Sequence, residues 1–255
     1  MRNVFLIGTC LCGLVAASDA PYAGTWKMNV AKSNFGESTM TYEQLPSGEM
    51  KATMDGQTYT FKTDGKDNMT PWGMTMAWKT VDPKTWELTE KTNGKVTATS
   101  TVKLSDDGKT LNVDAKRVKG DGGTSNDTVA LQRVSGGPGL AGKWKTKKLN
   151  TNSPQTLSLT PKGSDGITIS LGNEGGLCDA KFDGKDYPAT GPVWPAGWTC
   201  VVAKDGARGV NLTWRKDGKD MYKSSLMASA DGKTLTETGS AAGVNEKFTV
   251  VYDKQ

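Results

Sequence analysis

The chain of 255 residues contains no histidine. This absence excludes Ser-His-Asp and Cys-His nucleophile systems, histidine-based zinc sites and imidazole proton shuttles. Paired-carboxylate chemistry needs no histidine, but most aspartates here belong to Asp-Gly turns, and the sequence brings no two carboxylates visibly together. We therefore expect a protein that is not an enzyme and that uses no cofactor.

Long apolar runs are also scarce. One apolar stretch over residues 4–17 follows Arg2 and leads into the small residues Ala16, Ala17 and Ser18. This order predicts a signal peptide over residues 1–18, with cleavage after Ser18 or Ala20. The stretch is shorter than the ~20 apolar residues of a membrane span, so we expect no transmembrane segment. The predicted location is secreted or periplasmic.

Cysteine is rare, and two of the four cysteines, Cys10 and Cys12, would leave with the signal peptide. Cys178 and Cys200 remain, and two cysteines in an oxidising compartment most simply form a disulfide. A metal pair is the weaker alternative, because no nearby residues complete a tetrahedral set.

Charge of either sign is not concentrated anywhere. The 32 basic and 27 acidic residues alternate along the chain, which is typical of a solvated surface. No basic stripe suggests a nucleic-acid partner.

An internal repeat is the clearest feature that is present. Residues 23–27 (Ala-Gly-Thr-Trp-Lys) recur at 141–145 as Ala-Gly-Lys-Trp-Lys, and residues 107–111 recur unchanged at 231–235. The repeat predicts two domains, over 21–134 and 140–255, joined by a Gly-rich linker at 135–139. We expect the two copies to fold and unfold separately.

Within each copy, apolar and polar residues alternate with a period of two, as in Met74, Met76 and Trp78 or in Val210, Leu212 and Trp214. Nine Asp-Gly pairs and one Asn-Gly pair separate these runs, and such pairs suit tight hairpin turns. The pattern predicts an all-β fold of two tandem antiparallel up-and-down β-barrels with eight or nine strands each. A two-sheet sandwich is the alternative, and hairpin order favours the barrel because closure removes exposed edges.

The Gly-x-Trp segments at Trp26 and Trp144 resemble the opening of the lipocalin-like (calycin-type) domains of exported bacterial proteins. Residues 140–144 are also similar, more weakly, to the opening of the avidins. The resemblance implies that both tryptophans are structural and pack at the closed end of a barrel. It also implies a basic residue over each ring, with Arg133 in that place for the first copy and a position near Tyr252 for the second.

Methionine is concentrated in the first copy, which has seven mature methionines against two in the second. Methionine suits an adaptable apolar cavity, so we predict that the first copy holds the binding site. The predicted ligand-binding residues are Tyr59, Phe61, Met74, Met76 and Trp78. The same residues would equally form a filled barrel interior, and a Cu(I) site at Met74 and Met76 is a third interpretation.

The leading functional hypothesis is a binding protein for a small, largely apolar molecule. The alternative is a structural or protein-interaction module of the cell envelope with filled barrels. A loop of the second copy over 188–197, rich in Pro and Gly and carrying Trp194, is expected to seal a barrel or, less favoured, to stack on a sugar.

Overall fold

A computed structural model of the protein describes residues 20–35 and 39–255. The predicted signal peptide, residues 1–18, lies outside the described residues. The described chain is all-β, as predicted, apart from one 3-10 turn at Val30–Lys32. Within the described ranges, no helix has the length and apolar character that a membrane-spanning helix requires.

The strands fall into two antiparallel sheets of ten strands each. In chain order they are β1 Gly24–Met28, β2 Thr39–Gln44, β3 Met50–Met54, β4 Gln57–Phe61, β5 Asn68–Met69, β6 Thr75–Asp82, β7 Thr85–Thr92, β8 Lys95–Leu104, β9 Thr110–Val118, β10 Thr124–Ser135, β11 Gly142–Thr151, β12 Thr156–Lys162, β13 Gly166–Leu171, β14 Gly176–Lys181, β15 Tyr187–Thr190, β16 Trp198–Asp205, β17 Gly209–Lys216, β18 Lys219–Ala228, β19 Thr234–Ala241 and β20 Phe248–Lys254. The count exceeds the predicted eight or nine, because strands as short as β5 and β15 show no alternation in the sequence.

One sheet, in the order β1, β12 to β20 and back to β1, is a closed barrel, here called barrel 2. The other, here called barrel 1, runs β4-β3-β2-β11-β10-β9-β8-β7-β6-β5 and is nearly closed, with β4 and β5 as its two edges. The barrel prediction is therefore confirmed. Three of the predicted hairpin turns, Asp55-Gly56, Asn93-Gly94 and Asp217-Gly218, have positive φ at both residues, as a type I′ turn requires.

The two barrels do not coincide with the two sequence copies, because the copies exchange their first strands. The first copy's β1 lies between β12 and β20 of barrel 2. The second copy's β11 lies between β10 and β2 of barrel 1. The domain boundaries at 21–134 and 140–255 therefore describe the duplication but not the folded units, and the expectation of two independent units does not fit this topology.

The short connection between β10 and β11 gives a physical reason for the exchange. Only residues 136–141 separate the two strands, so β11 turns back on β10 as a hairpin and pairs with it from Ser135↔Lys143 to Asp127↔Thr151. That strand takes the place beside β2, which leaves β1 to close barrel 2. The segment predicted as a linker is thus a hairpin connection within barrel 1.

Each exchanged strand carries the buried tryptophan of its Gly-x-Trp segment. Trp26 and Trp144 are both fully buried, and their indole N–H groups donate to the carbonyls of Tyr22 and Leu140 at 2.9 and 3.0 Å. These hydrogen bonds give the only polar group of each large apolar side chain a partner within the core.

In each barrel, the basic residue over the tryptophan ring comes from the other sequence copy. The Arg133 guanidinium lies 4.1 Å from the Trp144 ring centroid, and the Lys254 ammonium lies 5.1 Å from that of Trp26. The resemblance implied that Arg133 lies over Trp26 and that a residue near Tyr252 lies over Trp144. Both placements are wrong. Since each basic residue sits on the strand beside the exchanged one, it contacts the tryptophan of the other copy.

The barrels meet at the ends away from these tryptophans and share a hydrophobic core there. Trp198 of barrel 2 donates its indole N–H to the Trp72 carbonyl of barrel 1 at 2.8 Å, and the Trp72 indole donates to the Tyr222 hydroxyl at 3.2 Å. One buried cluster joins Trp198 and Met221 to the aromatic interior of barrel 1. The two open mouths therefore face each other across an apolar contact.

The predicted disulfide between Cys178 and Cys200 is confirmed. It joins β14 to β16 across the short strand β15, with a Cα–Cα distance of 6.5 Å and both side chains fully buried. Because β15 pairs with each of its neighbours through only two residues, the disulfide holds β14 and β16 together where the strand pairing is shortest.

We predict that a disulfide introduced between β1 and β12 will form within one chain. Thr25 and Ser158 are paired residues with side-chain oxygens 2.9 Å apart, so Thr25→Cys with Ser158→Cys should oxidise readily. The matched control is Thr25→Cys with Thr41→Cys. Thr41 pairs with Lys143, which is the residue of the second copy that corresponds to Thr25. The control disulfide would therefore form only if β1 lay beside β2 in barrel 1. Mass spectrometry of the oxidised protein decides, and a disulfide in the control but not in the first variant would overturn the exchange.

We predict that Gly142→Ala destabilises the protein by about 1–3 kcal/mol, the cost of a strained backbone conformation. Gly142 has φ of 151°, and a Cβ there would lie 2.6 Å from the Arg133 Nη1 atom. Gly137→Ala in the same connection is the control, since its Cβ would meet no atom within 4 Å. Equal free energies of unfolding for the two variants in urea would contradict this account of the hairpin.

Candidate functional site

A cavity of about 550 Å³ lies between the facing mouths of the two barrels. We call it the chamber. Its barrel 1 wall includes Glu90, Thr92, Thr97, Arg117, Ser125 and Asp127, and its barrel 2 wall includes Met28, Asn173, Glu174, Pro192 and Val193. Barrel 1 supplies most of the lining, and Met28 on the barrel 2 side belongs to the exchanged strand β1.

The strands of barrel 1 turn from apolar to charged as they reach the chamber. On β9 the inward face carries Leu111, Val113 and Ala115 and then ends in Arg117. On β10 the inward face changes in the same way, from Leu131 and Val129 to Asp127 and Ser125. Because residues two apart share a face, the polar residues at the mouth continue the rows that fill the interior.

Three carboxylates surround the one guanidinium of Arg117. Its Nε donates to Asp127 Oδ2 at 2.9 Å, and its Nη1 lies 3.9 Å from Glu90 Oε2. The third carboxylate, Glu174, approaches from the β13–β14 turn of barrel 2 and also lines the chamber. The Glu90 and Asp127 side chains are only 16% and 14% exposed, whereas the Arg117 side chain is 49% exposed, so the carboxylates are partly buried while the guanidinium reaches bulk water.

The pKa directions follow from this arrangement. Burial raises the pKa of the Glu174 carboxyl, with Arg117 opposing the shift and Asp127 adding to it. Burial alone would lower the pKa of Arg117, but Glu90 and Asp127 outweigh it, so that this pKa is raised. The guanidinium therefore stays charged, and Glu174 holds a proton more readily than a free glutamate.

A second cavity of about 370 Å³ adjoins the chamber and is mainly apolar. It lies between the same two barrels, and its lining includes Phe35, Met40, Met54, Val129, Leu149 and Phe248. Leu149 on β11 lines both cavities, so the charged chamber and the apolar cavity lie on either side of one side chain.

The five predicted ligand-binding residues are only partly at this site. Met74 lines the chamber, whereas Tyr59, Phe61, Met76 and Trp78 are buried in the core of barrel 1. Phe61 stacks on Trp78 with ring centroids 5.1 Å apart, and the Tyr59 hydroxyl donates to the Met76 sulfur at 3.2 Å. These four residues pack against one another, and their role in binding stays a prediction.

The pKa of Tyr59 is raised to about 12. Burial of its hydroxyl is the largest cause, and the Glu90 carboxylate raises the pKa further. The same two causes raise the pKa of Tyr42. The electrostatic influence of Glu90 therefore extends from the mouth of barrel 1 to the aromatic residues inside it.

The Pro-rich loop of the second copy forms part of the chamber floor. Trp194 packs on Trp214 and Trp198 with ring centroids 4.5 and 5.1 Å away, and Pro192 and Val193 line the chamber. Asn93 of barrel 1 donates from Nδ2 to the Trp194 carbonyl at 3.2 Å. The loop therefore covers the mouth of barrel 2 and touches barrel 1.

The sequence analysis missed Arg117, Glu90 and Asp127. The signal that could have found them is the alternation on β7, β9 and β10, which continues through a charged residue instead of ending before it. Glu174 lies in a turn, where no periodicity identifies the direction of a side chain. Among the described residues, no three His, Cys, Asp or Glu side chains form a group that could hold a metal ion.

Comparison of the sequence with models of known protein families and with curated proteins finds no match.

Barrel 2 contains a half-buried carboxylate, Glu237, which accepts a hydrogen bond from the Tyr252 hydroxyl at 2.9 Å. Burial raises the pKa of Glu237 above its ordinary value of 4.5. A raised pKa means that the folded state binds the proton more tightly than the unfolded state. Its contribution to stability is therefore full below pH 4.5 and is lost as the pH rises through the folded pKa.

We predict that Glu237→Gln removes this pH dependence. On acidification from neutral pH, the wild type should gain free energy of unfolding relative to the variant, by about 1.4 kcal/mol for each unit by which the pKa is raised. Urea unfolding across the acidic range measures the difference, with the exposed Glu43→Gln as control. A difference that stays constant with pH would refute the assignment.

Proposed function

We propose that the protein is an extracytoplasmic binding protein for a small, largely apolar molecule, held between the mouths of its two barrels. The observation that carries the proposal is the adjacency of a charged chamber and an apolar cavity on either side of Leu149. A volume of about 550 Å³ falls within the range of small-molecule sites. A molecule with an apolar body and one polar group matches this pair of cavities.

The polar group of the ligand is basic in this proposal. Three carboxylates, Glu90, Asp127 and Glu174, share the Arg117 guanidinium, and the side chains of Lys95 and Lys119 also line the chamber. A protonated amine would add a positive charge beside the partly buried carboxylates of Glu90 and Asp127, where charge pairing is stronger than in bulk solvent.

The lipocalin-like resemblance supports the same proposal. Two antiparallel barrel-like sheets are compatible with tandem lipocalin-like domains, whose eight-stranded barrels hold one small ligand. The signal-peptide pattern and the Cys178–Cys200 disulfide support a secreted or periplasmic location. Membership of the lipocalin-like group, and the weaker similarity to avidins, belong to the proposal.

The alternative function is a structural or protein-interaction module of the cell envelope, and one observation favours it. The aromatic interior of barrel 1, including Phe61 and Trp78, is packed rather than open. The Cu(I) interpretation gains no comparable support, since the Met76 sulfur already accepts the Tyr59 hydroxyl.

We predict that the neutral dye Nile red binds the native chain and that Leu149→Trp weakens its binding at least ~10-fold, equivalent to about 1.4 kcal/mol. The larger side chain would fill the space between the two cavities. Lys148→Trp, on the exposed face of the same strand, should bind the dye like the wild type. If the folded wild type binds no dye, the structural alternative replaces the binding proposal.

We predict that dodecylamine displaces the dye more effectively than dodecanoate, because the chains are equal and only the charge of the head group differs. Combining Glu90→Gln with Asp127→Asn should reverse the preference, since Arg117 then lacks its two barrel 1 partners. Dye fluorescence below the micelle concentration reports both. Equal displacement by the two compounds in the wild type would refute the basic-group assignment.

A further inference from the structure

The chamber is lined by positive as well as negative side chains. Among the residues that the structure describes, its charged lining consists of Glu90, Asp127 and Glu174 and of Lys95, Arg117 and Lys119. Negative and positive charges are therefore equal in number. A ligand whose only charge is a protonated amine pairs with the acidic residues and leaves the two lysines without a role.

The strand register shows which of these charges lie deeper in the chamber. Glu90 and Arg117 pair with the same residue of β8 and so lie in one row across barrel 1. Asp127 lies one row deeper, because its partner on β9 is two residues before Arg117. Leu149, which borders the apolar cavity, lies one row deeper again, since its partner on β10 is two residues after Asp127. The wall therefore changes from apolar at Leu149 to acidic at Asp127 and Glu90.

Both lysines lie on the outer side of the row that contains Glu90 and Arg117, at the hairpin ends of barrel 1. Lys95 pairs with Thr92, two residues beyond Glu90 on β7. Lys119 follows Arg117 by two residues, directly after β9 ends. Since a strand rises ~3.3 Å per residue, the backbone of the lysine row stands ~7 Å from that of the carboxylate row. On the barrel 1 side, the chamber is thus acidic inside and basic at its rim.

The positive charges at the rim are weakly paired. The Lys119 ammonium lies 4.0 Å from the Asp121 carboxylate, whose side chain is 72% exposed, and an exposed ion pair of that kind contributes little. Lys95 takes part in none of the ion pairs found within the described ranges. An anionic group at the rim would therefore meet positive charges that the protein leaves largely unneutralised.

We propose that the ligand of the chamber is a zwitterionic amphiphile in which a basic nitrogen lies between the apolar tail and an anionic group. This inference rests on the proposed function and deepens it, because it assigns the order of the groups. The tail occupies the apolar cavity beyond Leu149, the nitrogen lies beside Glu90 and Asp127, and the anionic group lies between Lys95 and Lys119. A short spacer between the two charges suits rows that are ~7 Å apart.

The test compares three compounds with the same twelve-carbon tail as competitors of Nile red on the full chain. Dodecylamine carries the nitrogen alone, and N-dodecyl-β-alanine adds a carboxylate two carbons beyond it. Dodecyl phosphoethanolamine has the same net charge and the same two-carbon spacer, but its anionic group lies next to the tail. We expect N-dodecyl-β-alanine to displace the dye at ~5-fold lower concentration than either of the others, the modest gain that exposed ion pairs provide.

The double variant Lys95→Gln with Lys119→Gln should abolish the advantage of N-dodecyl-β-alanine over dodecylamine. The matched control is Lys103→Gln with Lys116→Gln, which removes two exposed lysines from β8 and β9 that do not line the chamber. The control should keep the advantage of the wild type.

The inference is overturned, with the proposed function intact, if dodecylamine displaces the dye but N-dodecyl-β-alanine does so no better. Stronger displacement by dodecyl phosphoethanolamine, or an advantage that survives in the Lys95 and Lys119 variant, overturns it as well. A folded wild type from which none of the three compounds displaces the dye overturns the proposed function and this inference together.

Discussion

The structure depends on the hairpin between β10 and β11, and Arg133 is the residue that fixes it. Its guanidinium donates to the carbonyls of Gly108, Gly137, Gly139 and Ala141 at 2.6 to 2.7 Å while lying over the Trp144 ring. One side chain thus satisfies the backbone of the connection and caps the barrel core. Charge-assisted hydrogen bonds of this kind are roughly twice as strong as neutral ones.

Once β11 is held in barrel 1, the other features follow from the topology. Barrel 2 is left without a first strand and takes β1, so two crossing strands tie the barrels together. The mouths of the two barrels are brought face to face, and the polar ends of β9 and β10 become part of the wall of the chamber between them. The site therefore belongs to neither sequence copy, and the exchange that joins the barrels also creates it.

The sequence predicted much of the local structure because local structure has a local signature. Alternation identified the strands, Asp-Gly and Asn-Gly pairs identified turns, and the small number of cysteines, with an oxidising compartment expected, predicted the disulfide of Cys178 and Cys200. The exchange had no such signature, because the segments around Trp26 and Trp144 are nearly identical. Either strand suits either groove, and the choice is made by the length of the connection at residues 136–141 and by Arg133.

The same reasoning explains the partial success at the site. The methionine and aromatic residues were recognised as inward-facing, but alternation does not give the depth of a residue within a barrel. Phe61 and Trp78 lie in the packed interior, whereas Met74 reaches the chamber. Glu174 meets Arg117 only because the two mouths face each other, which depends on contacts between the halves that no sequence pattern records.

The most direct test of the central claim, that exchanged strands make the two barrels one cooperative unit, is differential scanning calorimetry of the mature full-length protein. Removing either exchanged strand from its groove opens the other copy's barrel, so neither barrel unfolds alone. The account predicts a single transition whose calorimetric enthalpy equals its van't Hoff enthalpy. Two separable transitions, each with the enthalpy of about half the chain, would contradict it.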